Sequence, residues 1–128
     1  MGETAGKTIY EAIGGEDALI AVVEDLYRRI FADPALQGFF TSANMPRLKG
    51  RQVEFFGAAL GGPMTYTGAS MRDAHAGMAI TPEHFNAVAG HLTGALLDAG
   101  VPQATVDEII GLVAPLADDI VTTPAATA

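Results

Sequence analysis

The sequence predicts an all-α fold with about four substantial helices and a long central loop. Apolar residues recur at helical i, i+3, i+4 spacing in successive segments, and no segment shows the sustained alternation of a strand. Glycine pairs and prolines separate these segments. The length of 128 residues fits one domain with its own core. We expect a short N-terminal extension over residues 1–7, a folded domain over 8–121 and a flexible tail over 122–128.

The composition excludes several classes of protein. Cysteine is absent, which excludes disulfides, thiolate metal sites and Cys nucleophiles. The net charge of −8 argues against nucleic-acid and anionic-membrane binding, because both depend on clustered Lys and Arg. The N-terminus lacks the apolar core of a signal peptide, and no apolar run approaches the ~20 residues of a membrane span. We therefore expect a cytoplasmic protein.

The first two helices are predicted from a capping box and an apolar stripe. Residues 8–11 place a hydroxyl and an acid at capping-box spacing, and Gly14-Gly15 must end this helix early. The next helix covers residues 16–32 and ends at Asp33-Pro34, because the residue before proline avoids the α region. Its predicted buried stripe is Leu19, Val22, Val23, Leu26, Tyr27 and Ile30.

The third helix is predicted to begin near Asn44, with Pro46 in its first turn, and to end at Gly61-Gly62-Pro63. Its expected inward stripe is Leu48, Gln52, Phe55, Phe56 and Ala59. Residues 64–80 have poor periodicity and are predicted to form a loop with at most one short helix around Met71 to His75. Loops of this length inside compact domains are usually functional or disordered.

Two further helices complete the predicted fold. Thr81-Pro82-Glu83 is a typical helix start, and Gly100 closes that helix. Its expected inward residues are Phe85, Val88, Ala89, Leu92 and Leu96. Val101-Pro102 opens the last helix, in which Pro115 is expected to cause a kink. The inward residues there are Val106, Ile109, Ile110, Val113, Leu116 and Ile120.

Three polar residues do not suit the positions that they occupy. Tyr27 and Gln52 lie on predicted buried faces, and His75 lies in the glycine-bounded loop. Each alone has a structural interpretation: a core hydroxyl or amide with a partner, and a solvated histidine. Together they indicate a cavity with a hydrogen-bonding end and a ligating end.

A single histidine favours haem over other metal sites. His75, His84 and His91 are nine and seven residues apart, which fits no compact zinc pattern. A porphyrin already supplies four nitrogens to iron, so one protein histidine suffices in an apolar slot. His84 and His91 compete for the ligand role, but their places beside the apolar stripe favour solvated histidines. The alternative for His84 is a position near a haem propionate.

The chain resembles a group I truncated haemoglobin over residues 8–121. The segments that carry the resemblance are Ile9–Gly15, Val23–Tyr27, Leu36–Phe40, Arg47–Phe56, Leu60–Pro63, Tyr66–Gly68, the segment around His75, Val88–Leu92 and Ala114–Ala117. The resemblance implies a two-over-two helical sandwich, which is an abbreviated globin fold, around haem b.

The resemblance also implies roles for individual residues. His75 would be the proximal iron ligand, and Tyr27 and Gln52 would form the distal hydrogen-bonding pair. The residues expected to contact or approach haem are Phe40, Leu48, Lys49, Phe55, Met71, Phe85 and Val88, with Lys49 near a propionate. Arg51 occupies the place of a histidine that serves as a sixth ligand in some relatives, so six-coordination by histidine is not expected.

Some members of the family have a ligand tunnel. Phe56 resembles the residue that gates this tunnel. The residues that would line it, or else serve as plain core, are Val22, Ala59, Ala89 and Leu92.

The function implied by the resemblance is reversible binding of dioxygen, with nitric oxide and carbon monoxide as further ligands. It would serve oxygen storage or transport, or the oxidation of nitric oxide to nitrate. The latter, a nitric oxide dioxygenase activity, needs a separate reductase because the sequence has no flavin or nicotinamide motif. The alternative from another class is a cofactor-free helical interaction module whose acidic surface binds a basic partner.

Overall fold

The computed structural model describes residues 8–41 and 43–121, and every regular element within those ranges is helical. In chain order the helices are α1 (Ile9–Ile13), α2 (Gly15–Phe31), α3 (Met45–Ala59), α4 (Met71–His75), α5 (Pro82–Asp98), α6 (Gln103–Val113) and α7 (Ala117–Ile120). Short 3-10 turns cover Gln37–Phe40 and Ala114–Leu116. The predicted extension over 1–7 and tail over 122–128 lie outside the described residues. None of the helices in the described ranges has the length and hydropathy needed to cross a membrane.

The predicted capping box opens α1. The Thr8 hydroxyl accepts a hydrogen bond from the Glu11 amide at 3.1 Å, and the Glu11 carboxylate accepts one from the Thr8 amide at 3.0 Å. Gly14 then turns the chain into α2 with a φ of 116°, in the left-handed region. A Cβ atom on Gly14 would lie only 2.9 Å from the Cβ of Ala18, so both conformation and space require glycine here.

The core forms where α2 packs against α1, α3 and α5, and α5 packs against α6. The predicted stripe of α2 is confirmed, since each of its six side chains is at most 5% exposed. The buried residues that α5 and α6 add to the core are Leu92, Ala95, Leu96, Val106 and Ile109. A continuous apolar core therefore joins the longest helices.

The inward stripe predicted for α3 is only partly correct. Gly57 is the buried residue of this helix, whereas Gln52, Phe55 and Phe56 are half-buried and Ala59 is exposed. Although α3 packs against α2, the side chains of Gln52, Phe55 and Phe56 border a cavity and therefore remain partly accessible.

The polypeptide between α3 and α5 contains the short predicted helix. The Ser70 hydroxyl caps α4 by accepting a hydrogen bond from the Asp73 amide at 3.1 Å. α4 packs beside α7, and Arg72 pairs with Asp119 at 2.9 Å. The kink predicted at Pro115 is a complete interruption in the structure, because the 3-10 turn that contains this proline separates α6 from α7.

Truncation of a core leucine tests the packing. Leu96 is 2% exposed and its neighbour Leu97 is 42% exposed. We expect Leu96→Ala to lower the free energy of unfolding by about 2–5 kcal/mol, because it removes buried methyl groups and leaves a void. Leu97→Ala is the matched control and should change that free energy by less than about 0.5 kcal/mol. Denaturant unfolding measures both, and equal losses would contradict the assigned core.

Candidate functional site

A cavity of about 440 Å³ lies between α2, α3, α4, α5 and the turn that precedes α3. This volume is within the usual range for cofactor and small-molecule sites. The predicted site residues that line it are Tyr27, Phe40, Leu48, Gln52, Phe55, Met71, His75, Phe85 and Val88. The structure therefore brings together every predicted site residue except Lys49. Most of the lining is aliphatic or aromatic, and polar side chains are few.

His75 is held in one orientation by its own helix. It is the last residue of α4, and its Nδ1 lies 2.7 Å from the carbonyl oxygen of Met71. A carbonyl oxygen only accepts hydrogen bonds, so Nδ1 carries the proton and Nε2 keeps its lone pair. Histidines that ligate metals typically have this arrangement, in which a second hydrogen bond fixes the tautomer and the ring.

Tyr27 presents a hydroxyl group to the cavity from α2. Its side chain is buried, and its ring meets the edge of the Phe40 ring at a centroid distance of 5.7 Å. Burial raises the pKa of Tyr27 further above its usual value, which already keeps the hydroxyl protonated at neutral pH. The hydroxyl forms no hydrogen bond to any other residue in the described ranges, yet it is not sealed within the core. It therefore remains available as a donor.

Gln52 lines the same cavity from α3 and is half-buried. Within the part of the chain that the structure describes, its amide forms no hydrogen bond with Tyr27. The two predicted distal groups thus share one cavity without bonding to each other. Both remain open to a ligand placed between them and His75.

Lys49 lies apart from the cavity lining. Its Nζ pairs with the Glu24 carboxylate at 2.8 Å and links α3 to α2. Arg51, two residues further along α3, does line the cavity. Its guanidinium contacts Glu54 at 3.3 Å and also donates to the Thr67 hydroxyl. The cation that borders the site is therefore Arg51.

Several lining residues were not expected from the sequence. They include Leu26, Ile30, Leu36, Phe39, Arg51, Tyr66, Met78 and Ile80. Most of those outside α2 come from turns and loops, where helical periodicity carries no information. Of the tunnel candidates, Phe56, Ala89 and Leu92 line the cavity, whereas Val22 belongs to the core and Ala59 is exposed.

The expectation that His84 and His91 are solvated is only partly correct, because both side chains are half-buried and contact other residues. His84 lines the cavity, where its ring lies 4.9 Å from that of Phe39, and its Nδ1 accepts from the Thr81 amide. The Nε2 of His91 lies 2.9 Å from a carboxylate oxygen of Asp33 and joins α5 to the end of α2. These contacts explain why the side chains of both histidines are half-buried.

The pair between Asp33 and His91 gives a pH-dependent prediction. The hydrogen bond from His91, together with that from the Ala35 amide, lowers the pKa of Asp33. A carboxyl whose pKa is lowered by folding stabilises the protein above its unfolded pKa, about 3.9, and loses this contribution as the pH falls through its folded pKa. We expect Asp33→Asn to have a lower free energy of unfolding than the native chain at pH 7. The difference between the two should disappear below about pH 4.

Denaturant unfolding at several pH values checks this expectation. Asp118→Asn, at an exposed position on α7, is the matched control. If the free energies of unfolding of Asp33→Asn and the native chain differed by the same amount at every pH, the assigned pair would be contradicted.

Comparison with known proteins identifies the family. The bacterial-like globin family matches residues 8–122. The chain is 60% identical over 115 residues to the group 1 truncated haemoglobin GlbN of Mycolicibacterium paratuberculosis, covering 90% of this chain and 85% of that protein. It is 37% identical to the group 1 truncated haemoglobin of Tetrahymena pyriformis, covering 80% of this chain and 84% of that protein.

Solved structures agree with this comparison. The truncated haemoglobin of Tetrahymena pyriformis in its Fe(III) form superposes with a TM-score of 0.86 at 34% identity, covering 89% of this chain and 97% of that chain. The 2/2 haemoglobin of Synechococcus sp. PCC 7002, solved in the cyanomet state with covalently attached haem, superposes with a TM-score of 0.85 at 31% identity. The match covers 90% of this chain and 98% of that chain. The predicted two-over-two helical fold is thereby confirmed. The chain belongs to the bacterial-like globins and, among them, to the group 1 truncated haemoglobins.

Proposed function

We propose that the chain holds haem b in its cavity through His75 and binds dioxygen reversibly there. The observation that carries the proposal is the His75 ring, which donates from Nδ1 to the Met71 carbonyl and keeps its other nitrogen available in a mostly apolar cavity. Membership of the globin family supports haem-based ligand binding. Nitric oxide and carbon monoxide are further proposed ligands, since they are diatomic and fit the same space.

The donor set fits a porphyrin better than a bare metal ion. Within residues 8–41 and 43–121, no group of three or more His, Asp or Glu side chains could hold a metal ion. A lone histidine therefore suits an iron that brings four ligands of its own. Phe40, Phe55, Phe85 and Val88 supply apolar walls of the kind that a porphyrin ring requires.

The residues of the chain have distinct proposed roles. Haem, when bound, supplies an iron that coordinates a diatomic gas. Tyr27 would donate a hydrogen bond to the gas from its neutral hydroxyl. The Gln52 amide, which lines the same cavity, would offer a second donor, and the aromatic walls exclude water. Dioxygen gains more from this donor than carbon monoxide, because it carries more negative charge when bound.

The proposed physiological roles are oxygen storage or transport and oxidation of nitric oxide to nitrate. The second role is an enzyme activity that consumes one electron per turnover, so a separate reductase must supply it. Nitrate yield from nitric oxide and dioxygen, measured with and without a reductant, distinguishes the two roles. Turnover sustained by the reductant supports the dioxygenase, whereas a single stoichiometric yield supports storage or transport.

The absorption spectrum of the purified full chain, with and without added haemin, tests the proposal. We expect a Soret band that shifts when carbon monoxide is added to the reduced protein. A folded chain that takes up no haemin would overturn the proposal and favour the cofactor-free interaction module.

A further inference from the structure

Residues 64–70, called here the 64–70 loop, form a wall of the cavity between α3 and α4. Tyr66, Gly68 and Ala69 line the cavity from this loop. The loop leads directly into Ser70, the cap of the helix that carries His75. Its position therefore affects both the enclosure of the cavity and the start of α4.

The loop has a defined shape of its own. The Tyr66 hydroxyl donates to the Ala69 carbonyl at 2.6 Å, which folds the side chain back over the loop. A Cβ atom on residue 68 would collide with the Tyr66 ring, so this shape depends on glycine at that position. The loop can therefore move as one unit if its contacts with α3 are broken.

Contacts with α3 hold this unit in place. The Tyr66 ring meets the edge of the Phe55 ring at 5.4 Å, and Met64 packs closely over Gly57. The polar contact is made by Glu54, whose Oε1 accepts from the Thr67 amide at 3.3 Å and from the Thr67 hydroxyl at 3.1 Å.

Glu54 also connects the loop to Arg51, a cation that lines the cavity. Its Oε1 lies 3.3 Å from a guanidinium nitrogen of Arg51, and the same nitrogen donates to the Thr67 hydroxyl. These hydrogen bonds, first of all that from the Thr67 amide, lower the pKa of Glu54. The Glu54 carboxylate thus links the side chain of Arg51, which borders the cavity, to the backbone of Thr67 in the 64–70 loop.

We propose that Glu54 is a positioning residue that fastens the 64–70 loop to α3 through Thr67 and thereby slows escape of the cofactor from the cavity. This inference rests on the proposed function, because it presupposes that haem occupies the cavity. The aromatic contact between Tyr66 and Phe55 holds the loop weakly on its own, so loss of the carboxylate lets the wall open more often. The cofactor is far larger than a diatomic gas, so its escape depends most on such opening.

Transfer of haem from the loaded full chain to an excess of a haem-free acceptor globin measures the escape rate. We expect Glu54→Ala to raise this rate about tenfold, as the loss of charge-assisted hydrogen bonds implies. Glu54→Gln keeps an acceptor oxygen and should recover part of the native rate. Glu108→Ala, at an exposed position on α6, is the matched control and should keep the native rate.

A second pair of variants tests the other partner. Thr67→Val removes the hydroxyl and should also raise the escape rate, whereas Thr67→Ser retains the hydroxyl and should stay close to the native rate. These variants keep the proposal testable if Glu54→Ala does not fold.

Amide hydrogen exchange of the purified full chain gives a readout that needs no ligand-binding activity. We expect the Thr67 amide to exchange at least about tenfold faster in Glu54→Ala, because its acceptor is gone. If Glu54→Ala holds haem and both its Thr67 amide exchange and its haem escape rate equal those of the native chain, the proposed role of Glu54 is overturned. A chain that never binds haem contradicts the proposed function instead, and exchange at Thr67 then still reports whether Glu54 fastens the loop.

Discussion

His75→Gly should abolish the Soret band that the native chain acquires with haemin. The substitution removes the one cavity-lining histidine in the described ranges whose Nδ1 faces a carbonyl oxygen and so leaves Nε2 for iron, because the Nδ1 of His84 instead accepts from the Thr81 amide. Free imidazole should restore the band, because it fits the space of the missing ring and offers the same nitrogen. The measurement is a haemin titration followed by absorption, with and without imidazole.

His91→Asn is the control for this experiment. His91 is half-buried like His75, but it pairs with Asp33 and does not line the cavity. The His91→Asn variant should therefore show the same haemin spectrum as the native chain. A His75→Gly variant that binds haemin with the native spectrum, in the absence of imidazole, would show that another residue ligates the iron.

Tyr27→Phe should speed the dissociation of dioxygen by about 10- to 150-fold. A hydrogen bond to a charged group contributes about 1.5–3 kcal/mol, and each 1.4 kcal/mol corresponds to a factor of about ten. The ring and its contact with Phe40 are retained, so the substitution removes little besides the donor. Stopped-flow displacement of dioxygen measures the rate.

Carbon monoxide provides the internal control for Tyr27→Phe. Its dissociation should change by less than about threefold, because the bound molecule carries little negative charge. Equal acceleration of both gases would mean that Tyr27 acts through its shape rather than through its proton. Tyr66→Phe is a matched tyrosine control, since the Tyr66 hydroxyl already donates to the Ala69 carbonyl.

The helices were predictable because local signals and tertiary packing agree. The buried stripe on α2 consists of aliphatic side chains and Tyr27, and Thr8, Asn44, Ser70 and Thr81 all cap the helices that follow them. The same reasoning failed at Ala59, where the helix face continues but no neighbour covers it. Periodicity shows which face is apolar but not how far along the helix that face is buried.

The site was predictable where its residues lie on helices or in family motifs. Tyr27 stood out as a polar residue on an apolar stripe, and His75 as a lone histidine in a glycine-bounded loop. Lys49 and Arg51 were harder to place, because both are cations on α3 and their partners, Glu24 and Thr67, are distant in sequence. Long-range polar contacts of this kind leave no local pattern.

The packing of α4 against α7 has a consequence for biosynthesis. A helix of five residues is too short to persist in water without support, and Arg72 and Asp119 are 47 positions apart. The segment that carries His75 therefore gains its tertiary support only after residues 117–120 have emerged from the ribosome. The segment of His75 is consequently among the last parts of the cavity to be supported, after the residues of α2, α3 and α5 have been synthesised.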